Sequence, residues 1–215
     1  IPVGTAITST QTIFVYAETG TTPNCTNENS FTVTINNTPV ADSPTNVTAC
    51  DSYTLPALSV GGYFSSTGGN GSIPVGTAIT STQTIFVYAE SGTTPNCTNE
   101  NSFTVTINNT PLTPTAGSDD TYCDGDAILD LFAAGTGGTL TWYNNAGLTS
   151  VIGTGNSLTP SNTIGTSIYY VTETLSGCEG PANTVTITIN AIPVINSEVS
   201  NDVTACGVTN GAIDI

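Results

Sequence analysis

The 215-residue sequence contains no lysine, arginine, histidine or methionine. Neutralising phosphate requires cationic side chains, so nucleic acid is excluded as a partner. The chain also lacks the imidazole bases and Schiff-base lysines on which many enzymes depend. Its 16 carboxylates give a net charge of −16, and no side chain is available to pair with them in a salt bridge.

Long apolar runs and helix-forming stretches are missing as well. No segment has the length and hydropathy of a membrane span, and none is rich in strong helix formers. The polar residues are mostly threonine, serine, asparagine and glycine, and threonine suits a pleated, half-exposed surface. This composition predicts an all-β fold.

One stretch of the sequence occurs twice. Residues 1–39 recur at 73–111 with a single change, Thr19 in the first copy and Ser91 in the second. A near-identical copy at a spacing of 72 residues indicates tandem repeats. Such a chain is expected to build length or valency rather than one active site.

Each repeat ends in a strand of strict period two followed by a proline. Phe103, Val105 and Ile107 alternate with polar residues, and Pro111 then interrupts the pattern. Short strands separated by turn residues favour β-sandwiches. We therefore predict tandem Ig-like β-sandwich domains arranged as an extended rod. The predicted boundaries are 1–38 (the C-terminal half of a repeat), 39–110 and 111–192 (complete, the second divergent), and 193–215 (the start of another).

The six cysteines recur at two positions in the repeats. The early cysteines are Cys50, Cys123 and Cys206, and the late cysteines are Cys25, Cys97 and Cys178. Wide spacings without CxxC pairs indicate disulfides and therefore an oxidising, extracellular compartment. Pairing within each repeat predicts Cys50–Cys97 and Cys123–Cys178, with Cys25 and Cys206 left over. Pairing between neighbours, such as Cys25 with Cys50, is the alternative.

The divergent repeat carries the aromatic residues of most interest. Ile168–Glu173 corresponds by sequence to Ile85–Glu90, and Trp142 lies between two cysteines in immunoglobulin order. We expect Trp142 to pack in the core. Tyr143 follows it on the opposite face, where we expect an exposed aromatic able to bind a ligand.

Five aspartates cluster near the start of the divergent repeat: Asp119, Asp120, Asp124, Asp126 and Asp130. Carboxylate oxygens are preferred calcium ligands, and the hypothesis is a calcium site formed by the first four. The alternative is a solvated acidic loop, since the spacing is not that of an EF-hand. Asp124 and Asp126 as an acid–base pair would need a cleft that no pattern indicates, so we expect no enzyme.

Two long motifs resemble a known group of proteins. NVTACDSYTLPALSVGGYF followed by QTIFVYAESGTTPNCTNENSFTVTIN, and YCDGDAILDL…LTWYNNAG…IYYVTETLSGCEGPANTVTITI, resemble Ig-like repeats of giant Bacteroidota cell-surface adhesins of the gliding-motility (SprB-like) type. The resemblance implies type IX secretion, a place at the cell surface, and a structural or adhesive role in attachment or gliding.

The expected partners are neighbouring repeats of the same chain, with surface polysaccharide or other cell-surface proteins as further candidates. No cofactor other than calcium is expected. The alternative function is a glycan- or protein-binding module in which residues 111–192 carry recognition.

Overall fold

The computed structural model describes residues 1–195, 199–201 and 212–214, and every regular element in these ranges is a β-strand. The all-β prediction is confirmed. The chain forms two compact units, residues 1–109 and residues 110–215. No helix in the described ranges has the length and hydropathy needed to span a membrane.

The first unit begins with a two-stranded hairpin and continues into a complete repeat. The strands are β1 (Gln11–Glu18), β2 (Thr26–Val33), β3 (Val47–Cys50), β4 (Tyr53–Thr54), β5 (Gly62–Ser66), β6 (Asn70–Ile73), β7 (Ala78–Ile79), β8 (Gln83–Glu90) and β9 (Thr98–Asn108).

Strands of the complete repeat form two sheets. The larger has the order β3-β9-β8-β5-β6, and the smaller pairs β4 with β7. All pairs are antiparallel except β3 with β9, which run parallel. Ile85, Val87 and Val105 from the larger sheet pack with Leu55 and with Ile79 of the smaller one, and all five are buried. The repeat is therefore a β-sandwich with one core.

The duplicated sequence shows how much burial depends on the rest of the repeat. Strands β1 and β2 pair in the same register as β8 and β9, with Ile13 opposite Phe31 as Ile85 is opposite Phe103. Val87 is completely buried, whereas its copy Val15 is 54% exposed. The hairpin forms a two-stranded sheet of its own, so residues that make a core in one copy remain at the surface in the other.

The second unit contains the divergent repeat. Its strands are β10 (Thr115–Ala116), β11 (Asp120–Cys123), β12 (Leu131–Ala134), β13 (Thr139–Tyr143), β14 (Val151–Thr154), β15 (Ser157–Leu158), β16 (Gly165–Leu175), β17 (Cys178–Glu179) and β18 (Asn183–Asn190), followed by the paired β19 (Val199–Asn201) and β20 (Ala212–Asp214).

The larger sheet of the divergent repeat has the same strand order as the larger sheet of the first unit. Its larger sheet has the order β11-β18-β16-β13-β14, with β17 also paired to β16, and β11 runs parallel to β18. Its smaller sheet is β10-β12-β15. Leu131 and Ala133 of that sheet pack with Trp142, Val171 and Ile187 of the larger one. Trp142 is fully buried and its indole N–H donates to the Gly155 carbonyl oxygen at 2.9 Å.

The expected correspondence of Ile168–Glu173 in β16 with Ile85–Glu90 in β8 is wrong by one residue. Trp142 lies opposite Val171, as Tyr63 lies opposite Val87. Side chains alternate between faces with period two, so a shift of one residue exchanges the inner and outer faces. Glu173 consequently takes an inward position and is fully buried.

Ile187→Ala tests the assignment of faces in the second unit. Ile187 is 2% exposed, and the truncation should lower the free energy of unfolding by about 3 kcal/mol through lost burial and a residual cavity. Trp142 is the only tryptophan, so its fluorescence during urea unfolding reports this unit alone. Ile168→Ala is the matched control, since Ile168 is 45% exposed on the same sheet and should lose less than about 1 kcal/mol. Equal losses would contradict the assignment.

Candidate functional site: the two ends of each repeat

The early cysteines lie at the end where the chain leaves the repeat, which we call the distal end. Cys50 ends β3 and lies opposite Asn108, the last residue of the parallel strand β9. Cys123 ends β11 and lies opposite Asn190, the last residue of β18. The parallel pairing of first and last strands is what places each early cysteine there.

The late cysteines lie at the opposite, proximal end. Cys97 directly precedes β9, and Cys178 lies in β17 shortly before β18. The incoming chain is bound beside them. In the first unit the Ala41 N–H donates to the Asn99 side chain at 3.0 Å, and Asn101 donates to the Ala41 carbonyl oxygen at 2.9 Å.

The same contact recurs in the second unit. There the Asn183 amide donates to the Pro114 carbonyl oxygen at 3.0 Å. Each repeat therefore receives the chain at its proximal end and releases it at its distal end.

A hydrogen-bond network holds the loop that carries Cys97. Asn96 accepts from the Gly92 N–H and the Ser91 hydroxyl at 3.2 and 3.1 Å, and it donates to Glu90 at 2.9 Å. The Ser91 hydroxyl also accepts from the Cys97 N–H at 3.0 Å.

The first copy has the same network around Cys25, with the Thr19 hydroxyl at 3.1 Å from the Cys25 nitrogen. The one substitution between the copies therefore preserves the hydroxyl that positions the cysteine backbone.

Cys97 also contacts the last residues of the preceding repeat. Its Sγ lies 3.7 Å from the Asn36 carbonyl oxygen, and the Asn36 side chain donates to the Pro95 carbonyl oxygen at 2.6 Å. Asn36 occupies the same position in the first copy as Asn108 does in the second. A late cysteine thus lies against the distal end of the repeat before its own.

The predicted pairing within repeats is wrong. Cys97 and Cys123 are free, whereas Cys50 and Cys178 are disulfide-bonded. Strand β9 separates the two cysteine positions of its repeat by about 35 Å, while a disulfide requires Cα atoms within about 7 Å. Cys25 is free as well, and Cys206 lies outside the described residues.

The aspartates of the acidic cluster each have separate hydrogen-bond partners. Asp120 accepts from the Thr121 N–H at 2.8 Å, and Asp126 accepts from the Cys123 N–H at 2.8 Å. Asp124 donates its backbone N–H to the Asn190 carbonyl oxygen, at 2.8 Å.

Asp130 accepts from the Ser157 and Thr159 hydroxyls at 3.2 and 2.7 Å. In the part of the chain that the structure describes, no three acidic, histidine or cysteine residues are grouped to hold a metal ion. Calcium binding by Asp119, Asp120, Asp124 and Asp126 therefore stays a prediction without support from this geometry.

Asp119 accepts a backbone hydrogen bond that does not require its negative charge. Its side chain accepts from the Thr186 N–H at 2.7 Å, and Asn46 accepts in the same way from the Thr104 N–H at 2.8 Å. A neutral amide fills the equivalent position in the other repeat. The position needs an oxygen acceptor, which both residue types supply.

Tyr143 is buried rather than exposed. Only 7% of its surface is accessible, and its hydroxyl donates to the Glu179 carboxylate at 2.9 Å. Thr172 donates to the same carboxylate at 2.7 Å. Burial and the hydrogen bond to Glu179 raise the pKa of Tyr143. The expectation of an exposed aromatic at this position is wrong because β17 brings Glu179 over the outer face of the sheet.

The one fully buried charged group among the described residues is Glu173, which the sequence analysis did not single out. Its carboxylate accepts from the backbone N–H groups of Thr136, Gly137 and Gly138 at 2.7, 2.8 and 2.6 Å. A Cβ at Gly135 would lie 2.7 Å from both carboxylate oxygens. The sequence signal is the Gly135-Thr136-Gly137-Gly138 run, a turn that can enclose an anion with its own amides.

These hydrogen bonds make the Glu173 carboxylate a pH-dependent element of stability. Donation from Thr136 and then Gly138 lowers the pKa of Glu173 below its ordinary value of 4.5. A lowered folded-state pKa stabilises the repeat above the unfolded-state pKa, and this contribution is lost as the pH falls through the folded-state value.

Glu173→Gln should therefore lower the melting temperature of the second unit most at neutral pH, with Trp142 fluorescence as the readout. The difference from the wild type should shrink on acidification from pH 6 to pH 3. Glu28→Gln is the control, because Glu28 lies on the exposed strand β2. A difference that stays constant with pH would show that the ionised form makes no special contribution.

Comparisons with solved structures return sandwich proteins at low similarity. Protocadherin Gamma B2 extracellular cadherin domains 3–6 are 12% identical with a TM-score of 0.33, and the match covers 86% of this chain and 59% of that one. Titin domains z1z2 in complex with telethonin are 12% identical with a TM-score of 0.28, covering 74% and 100%. The chain thus spans about three fifths of the protocadherin fragment. TM-scores this low carry no argument about arrangement or function.

Sequence comparison identifies the class of the divergent repeat. Among curated proteins, none matches the chain significantly. Residues 111–191 match the family model described as "Ig-like domain CHU_C associated". This range coincides with strands β10–β18 and their shared core. Residues 111–191 are thus similar to Ig-like domains of that type.

Proposed function

We propose that this chain is a segment of a tandem-repeat array in a large secreted cell-surface protein, with a structural and adhesive role in surface attachment or gliding motility. The observation that carries the proposal is the opposition of the two ends of each repeat. The chain meets Asn99 and Asn101 at the start of β9 and departs beyond Asn108 at its end.

Opposed ends allow repeats to follow one another in series. With the chain entering at one end and leaving at the other, each added repeat extends the array by the length of its longest strand, about 35 Å for an 11-residue strand. The opposition of the two ends supports the proposed extended rod and the proposed division into residues 1–38, 39–110, 111–192 and 193–215. A copied repeat then adds length without requiring a new site.

The oxidised cysteines support a location outside the cell. Cys50 and Cys178 are oxidised, and disulfides persist in extracellular compartments. Export by the type IX route, a Bacteroidota origin and a part in gliding are proposed from the resemblance of the repeat motifs alone. The absence of lysine and arginine leaves no site for trypsin-like proteases, which suits an exposed surface protein.

The alternative is recognition of a glycan or protein by residues 111–192. The two features that suggested this alternative do not form a shared site. Tyr143 is buried, and the aspartates contact separate partners. A surface groove of about 590 Å³ beside Ile152, Leu158 and Ile168 is where a glycan would fit this repeat. We favour the structural role, since no exposed aromatic platform is among the residues that line the groove.

Extra repeats inserted into the chain test the proposed function. We expect each additional copy of residues 39–110, placed between residues 110 and 111, to raise the maximum dimension from small-angle X-ray scattering by about 35 Å, in proportion to copy number. The control is the unmodified chain at matched ionic strength, since the net charge is strongly negative. Growth of the radius of gyration as a compact globule, roughly with the 0.38 power of length, would contradict an array.

A further inference from the structure

We infer that the complete repeat of the first unit carries a surface groove that binds an arginine side chain of a partner protein. The groove lies on the outer face of the larger sheet, has a volume of about 510 Å³, and is lined by two aromatic rings, a carboxylate and the turn between β5 and β6. Its lining includes Phe64, Gly68, Gly69, Tyr88 and Glu90. The site goes beyond the proposed array, because it lies within one repeat and does not depend on how repeats follow one another.

The register of β5 and β8 places the aromatic rings and the carboxylate on the face of the sheet that is turned away from the core. Tyr63 and Val87 lie opposite each other and are buried. Successive side chains alternate between the two faces, so Phe64 and Tyr88 project outward, where both are half-buried. Glu90 follows two residues after Tyr88 on the same face and is exposed. The three outward side chains therefore share one surface.

The two aromatic rings meet at a right angle. The ring centroids of Phe64 and Tyr88 are 5.8 Å apart, and the ring planes are inclined at 85°. A guanidinium group is planar, stacks on an aromatic face and donates hydrogen bonds within its own plane. A groove lined by aromatic rings and by the carboxylate of Glu90 offers both contacts to one such group. A sugar would be better served by a flat platform, which two perpendicular rings do not form.

The turn between β5 and β6 fixes the shape of the groove. The Gly68 N–H donates to the Glu100 carboxylate at 2.6 Å, and Glu100 lies opposite Tyr88 in the adjacent strand β9. A Cβ at Gly69 would lie 2.9 Å from the Tyr88 ring, so the glycine backbone packs directly against that ring. The ring is therefore held in place before a ligand arrives, which reduces the entropy lost on binding.

The charge of the chain favours a cationic ligand and shows where it comes from. Glu90 accepts a hydrogen bond from the Asn96 amide at 2.9 Å, which leaves its negative charge in place. The chain has a net charge of −16, and such a field attracts cations to the surface. Because the sequence contains no arginine or lysine, the bound side chain belongs to a different protein and not to a second copy of this one.

The divergent repeat fills the corresponding position with its own side chains. In register, Tyr143 and Thr172 take the places of Phe64 and Tyr88. Both donate hydrogen bonds to the Glu179 carboxylate of β17, at 2.9 and 2.7 Å. The second unit therefore has no aromatic pair at this position, and the inference assigns recognition to residues 39–110 rather than to residues 111–192.

Titration of the full chain with N-acetylarginine amide, followed by the aromatic NMR signals of Phe64 and Tyr88, tests the inference. Both rings should shift saturably. N-acetylcitrulline amide has nearly the same shape without the charge, and it should bind at least about fivefold more weakly. Equal binding of the two would overturn the inference. Tighter binding of choline or of methyl β-glucoside would also overturn it, and would assign the groove to quaternary ammonium groups or to sugars.

Substitutions in the groove, each matched by the same substitution in the duplicated hairpin, test the residues. Tyr88→Leu and Glu90→Gln should each weaken binding about threefold, through loss of an aromatic face and of a carboxylate. Tyr16→Leu and Glu18→Gln are the matched controls and should leave the affinity unchanged, because β1 pairs only with β2.

Equal weakening in the control variants, or full affinity in both groove variants, would contradict the site. The exposed Glu90→Gln variant keeps the test decisive if Tyr88→Leu does not fold. The scattering experiment on inserted repeats is independent of this titration. Lengthening without arginine binding would remove the inference alone, and arginine binding without lengthening would remove the proposed array.

Discussion

In each complete repeat the first strand of the larger sheet runs parallel to the last, and the rest of the account depends on this pairing. Strand β3 with β9, and β11 with β18, place the early cysteine at the distal end and leave the late cysteine at the proximal one. The direction of the first strand therefore keeps the two cysteines of each repeat at its opposite ends.

Because the chain has no cationic side chains, its buried carboxylates must accept hydrogen bonds from neutral donors. Glu173 is enclosed by three backbone N–H groups, and Asp119 and Asp126 accept from the backbone N–H groups of Thr186 and Cys123. Such bonds to ionised oxygens are stronger than neutral ones, and they replace the ion pairs that the composition excludes. The carboxylates of Glu173, Asp119 and Asp126 thus stabilise the fold of the divergent repeat.

The sequence predicted some features well and failed on others for identifiable reasons. Period-two strands such as Val185–Ile189 follow from side-chain alternation alone, so the all-β fold and the burial of Trp142 were predictable. Parallel and antiparallel strands have the same period, so the cysteine pairing was not. The position of Tyr143 depends on Glu179, 36 residues away, and no local pattern reports such a contact.

Double electron–electron resonance between nitroxide labels at Cys97 and at Thr48→Cys, with Cys25 and Cys123 replaced by serine, tests the opposition of the two ends of a repeat most directly. The account predicts a label separation of about 30 Å, because Thr48 lies opposite Thr106 and strand β9 separates that residue from Cys97. A separation below about 15 Å would place both labels at one end of the repeat and would contradict the account.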